Sequence, residues 1–138
     1  MVKKVVLAGG CFDVLHPGHI VFLQKAKRVG DFLVVLLESD KKIQELKGQN
    51  RPFFTQKERS TVLKALKVVD QVILLPYMKI DGDYEKIIKR IKPDIIAVTK
   101  GANDNYHKER IAKIVGAELK YVTKIIGDYS TTNILTHR

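Results

Sequence analysis

Apolar and polar positions along this chain follow two alternating rhythms. Short apolar runs sit at Val5–Ala8, Phe32–Leu37, Gln71–Leu75, Asp94–Thr99 and Glu118–Val122. Phe32–Leu37 is apolar at every position, as expected of a strand covered on both faces. Between these runs the spacing lengthens to that of a helix. His19–Val29 places Ile20, Phe22, Leu23, Ala26 and Val29 at helical intervals, with Gly30 where a C-terminal cap belongs. Ser39 or Asp40 is a cap for a short helix ending at Gly48. Thr55-Gln56-Lys57-Glu58 reads as a capping box, opening a helix that turns Val62, Leu63 and Leu66 inward. Asp83–Ile91 and Asn105–Val115 are further helices, and Ser130 or Thr131 caps a last one.

Strand and helix alternating in this way predict an α/β protein: a parallel sheet of five strands with helices on both faces, three layers in all. The length, 138 residues, suits a single domain over residues 1–138 with a substantial core. Ligands of such sheets gather at the carboxyl ends of the strands. Gly9–Asp13, Glu38–Asp40, Pro76–Asp81, Lys100–Asp104 and Ile125–Ser130 all fall at that edge.

Composition narrows the picture. Hydrophobic residues make up 45% of the chain, the ordinary level for a globular protein in water. No apolar run reaches the roughly 18–20 residues that a membrane span needs. The N-terminus leads straight into a strand, leaving no room for a cleavable signal pattern. The single cysteine excludes an internal disulfide and fits a reducing compartment, so a cytoplasmic setting is expected. The net charge of +10 raises the question of nucleic acid. The lysines are spread over every helix, however, without a dense block or a stacking pattern of aromatics. The charge is read instead as a solvated surface plus an anion-binding cleft, with neither nucleic acid nor membrane as partner.

The candidate chemistry is concentrated in Gly9-Gly10-Cys11-Phe12-Asp13-Val14-Leu15-His16-Pro17-Gly18-His19. A strand runs into a loop, and the loop opens a helix bearing two histidines at i and i+3, on one face. Pro17 suits the first turn, where no backbone donor is lost. Free N–H groups and the positive dipole end there favour phosphate, and two imidazoles beside it would hydrogen-bond a polyphosphate and partly neutralise it. Zinc needs three or four ligands, and only Cys11 and Asp13 lie near enough in sequence to assist. The G-x-G-x-x-G spacing of dinucleotide sites is absent.

His16-Pro17-Gly18-His19 resembles the His-x-Gly-His signature of the cytidylyltransferase-like nucleotidyltransferases. Further segments resemble one branch of them, the adenylyltransferase domain of ADP-heptose synthase, an enzyme of lipopolysaccharide core biosynthesis. These are Glu38-Ser39-Asp40, Lys47-Gly48-Gln49-Asn50-Arg51-Pro52, Glu58-Arg59, Lys100-Gly101 and Ser130-Thr131-Thr132-Asn133-Ile134. The branch's Lys-Gly-Gly-Asp reads Lys100-Gly101-Ala102-Asn103-Asp104 here. The resemblance implies a Rossmann-like fold and transfer of AMP from ATP to a phosphorylated small-molecule acceptor, such as a sugar phosphate. Pyrophosphate would leave, Mg²⁺ would ride on the triphosphate rather than on protein ligands, and the chain would form a homodimer. FMN adenylylation, glycerol 3-phosphate cytidylylation and a non-catalytic nucleotide-binding module are the alternatives.

The same resemblance makes His16, His19 and Lys47 the catalytic set, acting on charge that develops at the triphosphate. Nucleotide binding would fall to Gly9, Gly10, Cys11, Phe12, Gly18, Arg51, Lys100, Gly101, Asp104, Ser130 and Thr131. Gly9 and Gly10 would permit close approach of the phosphates, and Arg51 would belong to the Lys47 loop. Arg59 sits in the first turn of its helix, where a cation opposes the dipole; that favours a functional or ion-paired arginine. Asp13 is either structural or metal-associated. Cys11 would contribute its backbone N–H, since in-line transfer to an ionised phosphate needs no covalent nucleophile.

Overall fold

A computed structural model describes residues 3–102 and 105–124 of the chain. The strands are β1 (Val5–Gly10), β2 (Phe32–Leu37), β3 (Gln71–Leu74), β4 (Ile95–Lys100) and β5 (Glu118–Lys124). The helices are α1 (Pro17–Arg28), α2 (Asp40–Lys47), α3 (Gln56–Lys64), α4 (Asp81–Ile91) and α5 (Asn105–Val115). All five strands are parallel in one sheet, in the order β3-β2-β1-β4-β5. The Rossmann-like α/β architecture expected from the alternating pattern is what the chain adopts.

Successive strand residues point to opposite faces, and both faces are apolar. Val6, Ala8, Leu33, Val35, Leu37, Ile95 and Ala97 meet Leu23 and Ala26 of α1 and Leu63 of α3. Leu7, Val34, Leu36, Ile96 and Val98 meet Ile88 of α4 and Ile111 and Ala112 of α5. The amino edge of the sheet is tied by aspartates. Asp94 accepts from the Val5 N–H at 2.8 Å, Asp31 from Lys4 at 2.8 Å and Asp70 from Leu33 at 2.7 Å. That edge carries structural polar groups and leaves the carboxyl edge for ligands.

Several boundaries differ from the pattern, each for a local reason. β1 continues through Gly9 and Gly10, which pair with Leu36 and Leu37, so the two glycines are strand rather than loop. α1 begins at Pro17, with His16 as its N-cap. α3 turns Arg59, Ser60 and Leu63 inward, whereas Val62 is exposed, because it lies a quarter-turn off the face shared by positions 59 and 63. Leu66 packs against the core from beyond the helix end. Gly30 is not a left-handed cap; Val29 caps α1 with an N–H bond to Ala26. A Cβ on Gly30 would stand 2.8 Å from the Lys4 carbonyl oxygen and 2.4 Å from Val6, so close chain approach explains the glycine. Among the described residues no helix is long and apolar enough to cross a membrane. The last predicted helix lies outside the described residues.

Candidate active site

β1 is hydrogen-bonded to β2 along its whole length, from Val5–Phe32 to Gly10–Leu37. Its pairing with β4 covers only Val6–Ile95 and Leu7–Ile96. The carboxyl halves of β1 and β4 therefore part at the point where the strand order reverses. In open α/β sheets this is where ligands enter. The loop after β1 and the N-terminus of α1 stand beside that opening.

His16 and His19 cap α1 reciprocally. His16 Nδ1 accepts from the Gly18 N–H at 3.1 Å, and His19 Nδ1 accepts from the His16 N–H at 3.3 Å. Backbone N–H groups are always donors, so each Nδ1 is the unprotonated nitrogen. Each neutral ring then carries its proton on Nε2, the atom a ligand would meet. The rings stack with centroids 3.7 Å apart and planes 26° apart. Burial lowers the His16 pKa; burial, then the neighbouring His16 and Lys47, bring His19 down to about 4. At neutral pH, before any phosphate arrives, this is a pair of neutral N–H donors. Without a bound phosphate the pair therefore carries no positive charge of its own, because burial disfavours protonation of both rings and His16 and Lys47 add to that at His19.

The loop before this helix is held from beneath. Phe12 has a φ of +45°, an unfavourable conformation for a bulky residue, yet its ring is buried and lies 5.3 Å from the His19 ring. Core packing supplies what the backbone loses. It also explains Gly10: a Cβ there would meet the Phe12 ring at 2.9 Å, whereas a Cβ on Gly9 would meet nothing closer than 3.9 Å. A side chain at position 10 would therefore crowd the Phe12 ring. The Cys11 thiol is pushed up by burial, against the opposing pull of Lys47, which keeps it protonated. A protonated thiol is a poor nucleophile.

Asp13 is fully engaged. Its Oδ2 accepts from Arg51 Nε at 3.0 Å and the Phe53 N–H at 2.7 Å, and its Oδ1 accepts from the Phe54 N–H at 2.9 Å. Burial would raise this carboxyl, but the two N–H groups and Arg51 outweigh it and hold it low. Asp13 is thus structural, clamping the 51–54 segment under the loop. Arg51 is buried as its partner and braces the loop.

Arg59, 2% exposed, is the central tie of the carboxyl edge. It donates to Phe54 O at 3.0 Å, Cys11 O at 2.7 Å, Glu38 O at 3.0 Å and Asp40 Oδ1 at 2.7 Å. One guanidinium thereby joins the ends of β1 and β2, the start of α2 and the 53–54 loop. Gln56 adds a second tie, donating to Leu37 O at 3.0 Å and Leu75 O at 2.9 Å. The ion-paired arginine expected from its unfavourable helix position is found.

Lys47 ends α2, exposed, and Gly48 follows with φ +105°. The lysine is close enough to lower the titration of both His19 and Cys11. Lys100 and Gly101 stand exposed at the end of β4, across the opening from the histidines. Gly18 contributes its N–H to His16. Asp104, Ser130 and Thr131 lie outside the described residues. Among the described residues no three His, Cys, Asp or Glu side chains gather as a metal cage.

The sequence profile of the "Cytidylyltransferase-like" family matches residues 7–136. This chain belongs to that family. Its reaction class follows: it is a nucleotidyltransferase. The chain is 44% identical over 138 residues to "Bifunctional protein HldE" of Campylobacter fetus and 42% identical over 136 residues to that of Helicobacter pylori strain J99. Each alignment covers 96% of this chain and 27% of the relative, so the chain spans about a quarter of those proteins' length. A solved structure, the lipopolysaccharide core biosynthesis protein from Thermoplasma volcanium, is 33% identical with a TM-score of 0.69, over 91% of this chain and 98% of that one. Pantothenate synthetase from Thermus thermophilus, 14% identical with a TM-score of 0.61, shares the fold.

In this nucleotidyltransferase two residues near the loop escaped the sequence reading as site residues. Glu38 directly follows β2, and Tyr84 on α4 donates its hydroxyl to Glu38 Oε2 at 2.7 Å. A carboxylate just after the second strand was visible in the sequence. Tyr84 carried no signal, since only the packing of α4 against the sheet brings it there.

Proposed function

We propose that this chain transfers the AMP of ATP to a phosphorylated small molecule, a sugar phosphate of the heptose 1-phosphate kind. An acceptor phosphate oxygen attacks the α-phosphorus, the bond from that phosphorus to the bridging oxygen breaks, and pyrophosphate leaves. The acceptor is already ionised at neutral pH, so the protein need not remove a proton. Its task is to position the two phosphates and stabilise charge as it shifts. The observation that carries this reading is the reciprocally capped histidine pair. Its two Nε2–H donors are set by the backbone at the start of α1, beside the parted ends of β1 and β4.

His16 and His19 would donate to triphosphate oxygens, and Lys47 would supply the positive charge that the neutral rings lack. The N–H groups of Gly10, Cys11 and Phe12 would line the phosphate path, with Lys100 and Gly101 on the opposite bank. Mg²⁺ would belong to the triphosphate, whose charge it offsets when bound. The side chains at the loop suit this arrangement, being donors to phosphate rather than ligands to a metal. The sugar-phosphate acceptor is supported by the likeness to a lipopolysaccharide core biosynthesis protein and by the segments that resemble ADP-heptose synthase. A cytoplasmic homodimer completes the reading.

A pyrophosphate-release screen tests it, with ATP and CTP each offered against heptose 1-phosphate, glycerol 3-phosphate and FMN. ATP with the sugar phosphate is expected to turn over at least about tenfold better than any CTP pair, roughly 1.4 kcal/mol in transition-state binding. Preference for CTP with glycerol 3-phosphate, or for ATP with FMN, would reverse the assignment.

A further inference from the structure

We propose that Glu38, held in place by Tyr84, reads hydroxyl groups on the phosphorylated acceptor, so that this site selects a polyol phosphate over a flat or hydroxyl-poor one. The inference rests on the adenylyl-transfer reading above and adds the residue that chooses the acceptor.

The placement comes first. The Glu38 N–H donates to Gly10 O at 3.1 Å, one residue beyond the last β1–β2 pair. Its side chain therefore starts at the edge of the phosphate loop. The carboxylate is half-buried and fixed at both oxygens, Oε1 by the Ser39 N–H at 3.0 Å and Oε2 by Tyr84 at 2.7 Å. The backbone carbonyl of the same residue is held by Arg59 at 3.0 Å. A carboxylate offers about four lone-pair directions. The two donors named here leave each oxygen room for one more, and a rigidly held carboxylate with open acceptor capacity suits a pair of neighbouring hydroxyls. The Tyr84 oxygen adds an acceptor beside them.

Charge decides which end of the acceptor lies here. Lys47 influences both His19 and Cys11, so the cation sits along the line from the histidines to the loop. Glu38, hydrogen-bonded through its N–H to Gly10 O, and Tyr84, bound to its carboxylate, carry the negative and neutral polar groups close to Cys11. A phosphate settles towards the lysine and away from the carboxylate. The uncharged part of the acceptor then extends over Cys11 to Glu38 and Tyr84. The ribose of ATP is the other vicinal diol available to the site, and the experiment separates the two.

Glu38→Gln and Tyr84→Phe are assayed with the wild-type chain for pyrophosphate release. The acceptors are an aldose 1-phosphate and its singly deoxygenated analogues, and the nucleotides are ATP and 3′-deoxy-ATP. Glu38→Gln is expected to lower kcat/KM for the aldose phosphate at least about tenfold while KM for ATP stays within about twofold. One deoxy analogue should cost the wild type a similar factor and cost Glu38→Gln nothing further. Tyr84→Phe should move in the same direction by less. If the interaction appears instead between Glu38 and the ribose hydroxyl of ATP, acceptor recognition is wrong. If Glu38→Gln lowers the melting temperature but leaves acceptor kcat/KM intact, the pair is only a tie between β2 and α4. Absence of wild-type turnover with every polyol phosphate refutes the adenylyl-transfer reading, and this inference with it. Turnover indifferent to Glu38 refutes this inference alone.

Discussion

Replacing Arg59 by methionine keeps most of the aliphatic packing and removes a guanidinium that is 2% exposed. Four acceptors lose their donor. Asp40, with a side chain 43% exposed, and Phe54, itself 38% exposed, are at positions where water can substitute. The carbonyl oxygens of Cys11 and Glu38 belong to half-buried residues just beyond the ends of β1 and β2, where a replacement donor is harder to supply. A buried acceptor left without a donor costs about 1–3 kcal/mol. Two of them give about 2–6 kcal/mol, from which the desolvation that arginine suffered and methionine does not must be subtracted. We expect a loss near 3 kcal/mol, a large share of the roughly 5–15 kcal/mol that holds a domain of this size together. Urea unfolding at constant m-value measures it, and the melting temperature should fall by roughly 10 °C. Arg59→Lys should recover less than half, because an ammonium serves the Asp40 charge but cannot span two strand ends and a loop with a planar fork. A methionine variant within about 1 kcal/mol of wild type, or a lysine variant indistinguishable from it, would show that the strand-end carbonyls do not depend on this residue.

Three further outcomes follow from the loop. His16→Ala and His19→Ala should each lower kcat about a hundredfold or more, roughly 3 kcal/mol, with a smaller change in KM for ATP; His16→Asn keeps an N-cap, so similar stability with low activity would separate capping from chemistry. The pH dependence of stability has a definite sign. His19 is held at about 4 in the folded chain, below the 6.5 of an unperturbed histidine, so the unfolded state takes up the proton first. Its contribution is fully present above pH 6.5 and lost as pH falls towards 4, by at most roughly 3 kcal/mol, and His19→Gln should flatten urea midpoints across that window. Gly10→Ala should destabilise by about 1–3 kcal/mol through its clash with the Phe12 ring, whereas Gly9→Ala should be far milder; equal effects in thermal melts would contradict the packing account.

The periodicities of this chain determined its described strands and helices and their alternation, with several ends shifted by one or two residues. Phe32–Leu37 could only be a strand covered on both sides, and Thr55 through Glu58 could only open a helix, because these signals are local and depend on neighbours in sequence. The histidine pair was legible for the same reason: the spacing from His16 to His19 is a property of one helical turn. What the tertiary structure alone decided is the use to which charges are put. Asp13 and Arg51 are far apart in sequence, and nothing local says that they clamp one another; burial and three donors on one carboxylate do. That Gly10 also makes room for Phe12 is visible only in three dimensions, since only packing reveals which atom a Cβ would meet. The neutrality of the two imidazoles also arises in three dimensions, because a histidine's charge depends on the water it loses and the rings it meets. Tyr84 reaches Glu38 from another layer of the fold, a contact no periodicity encodes.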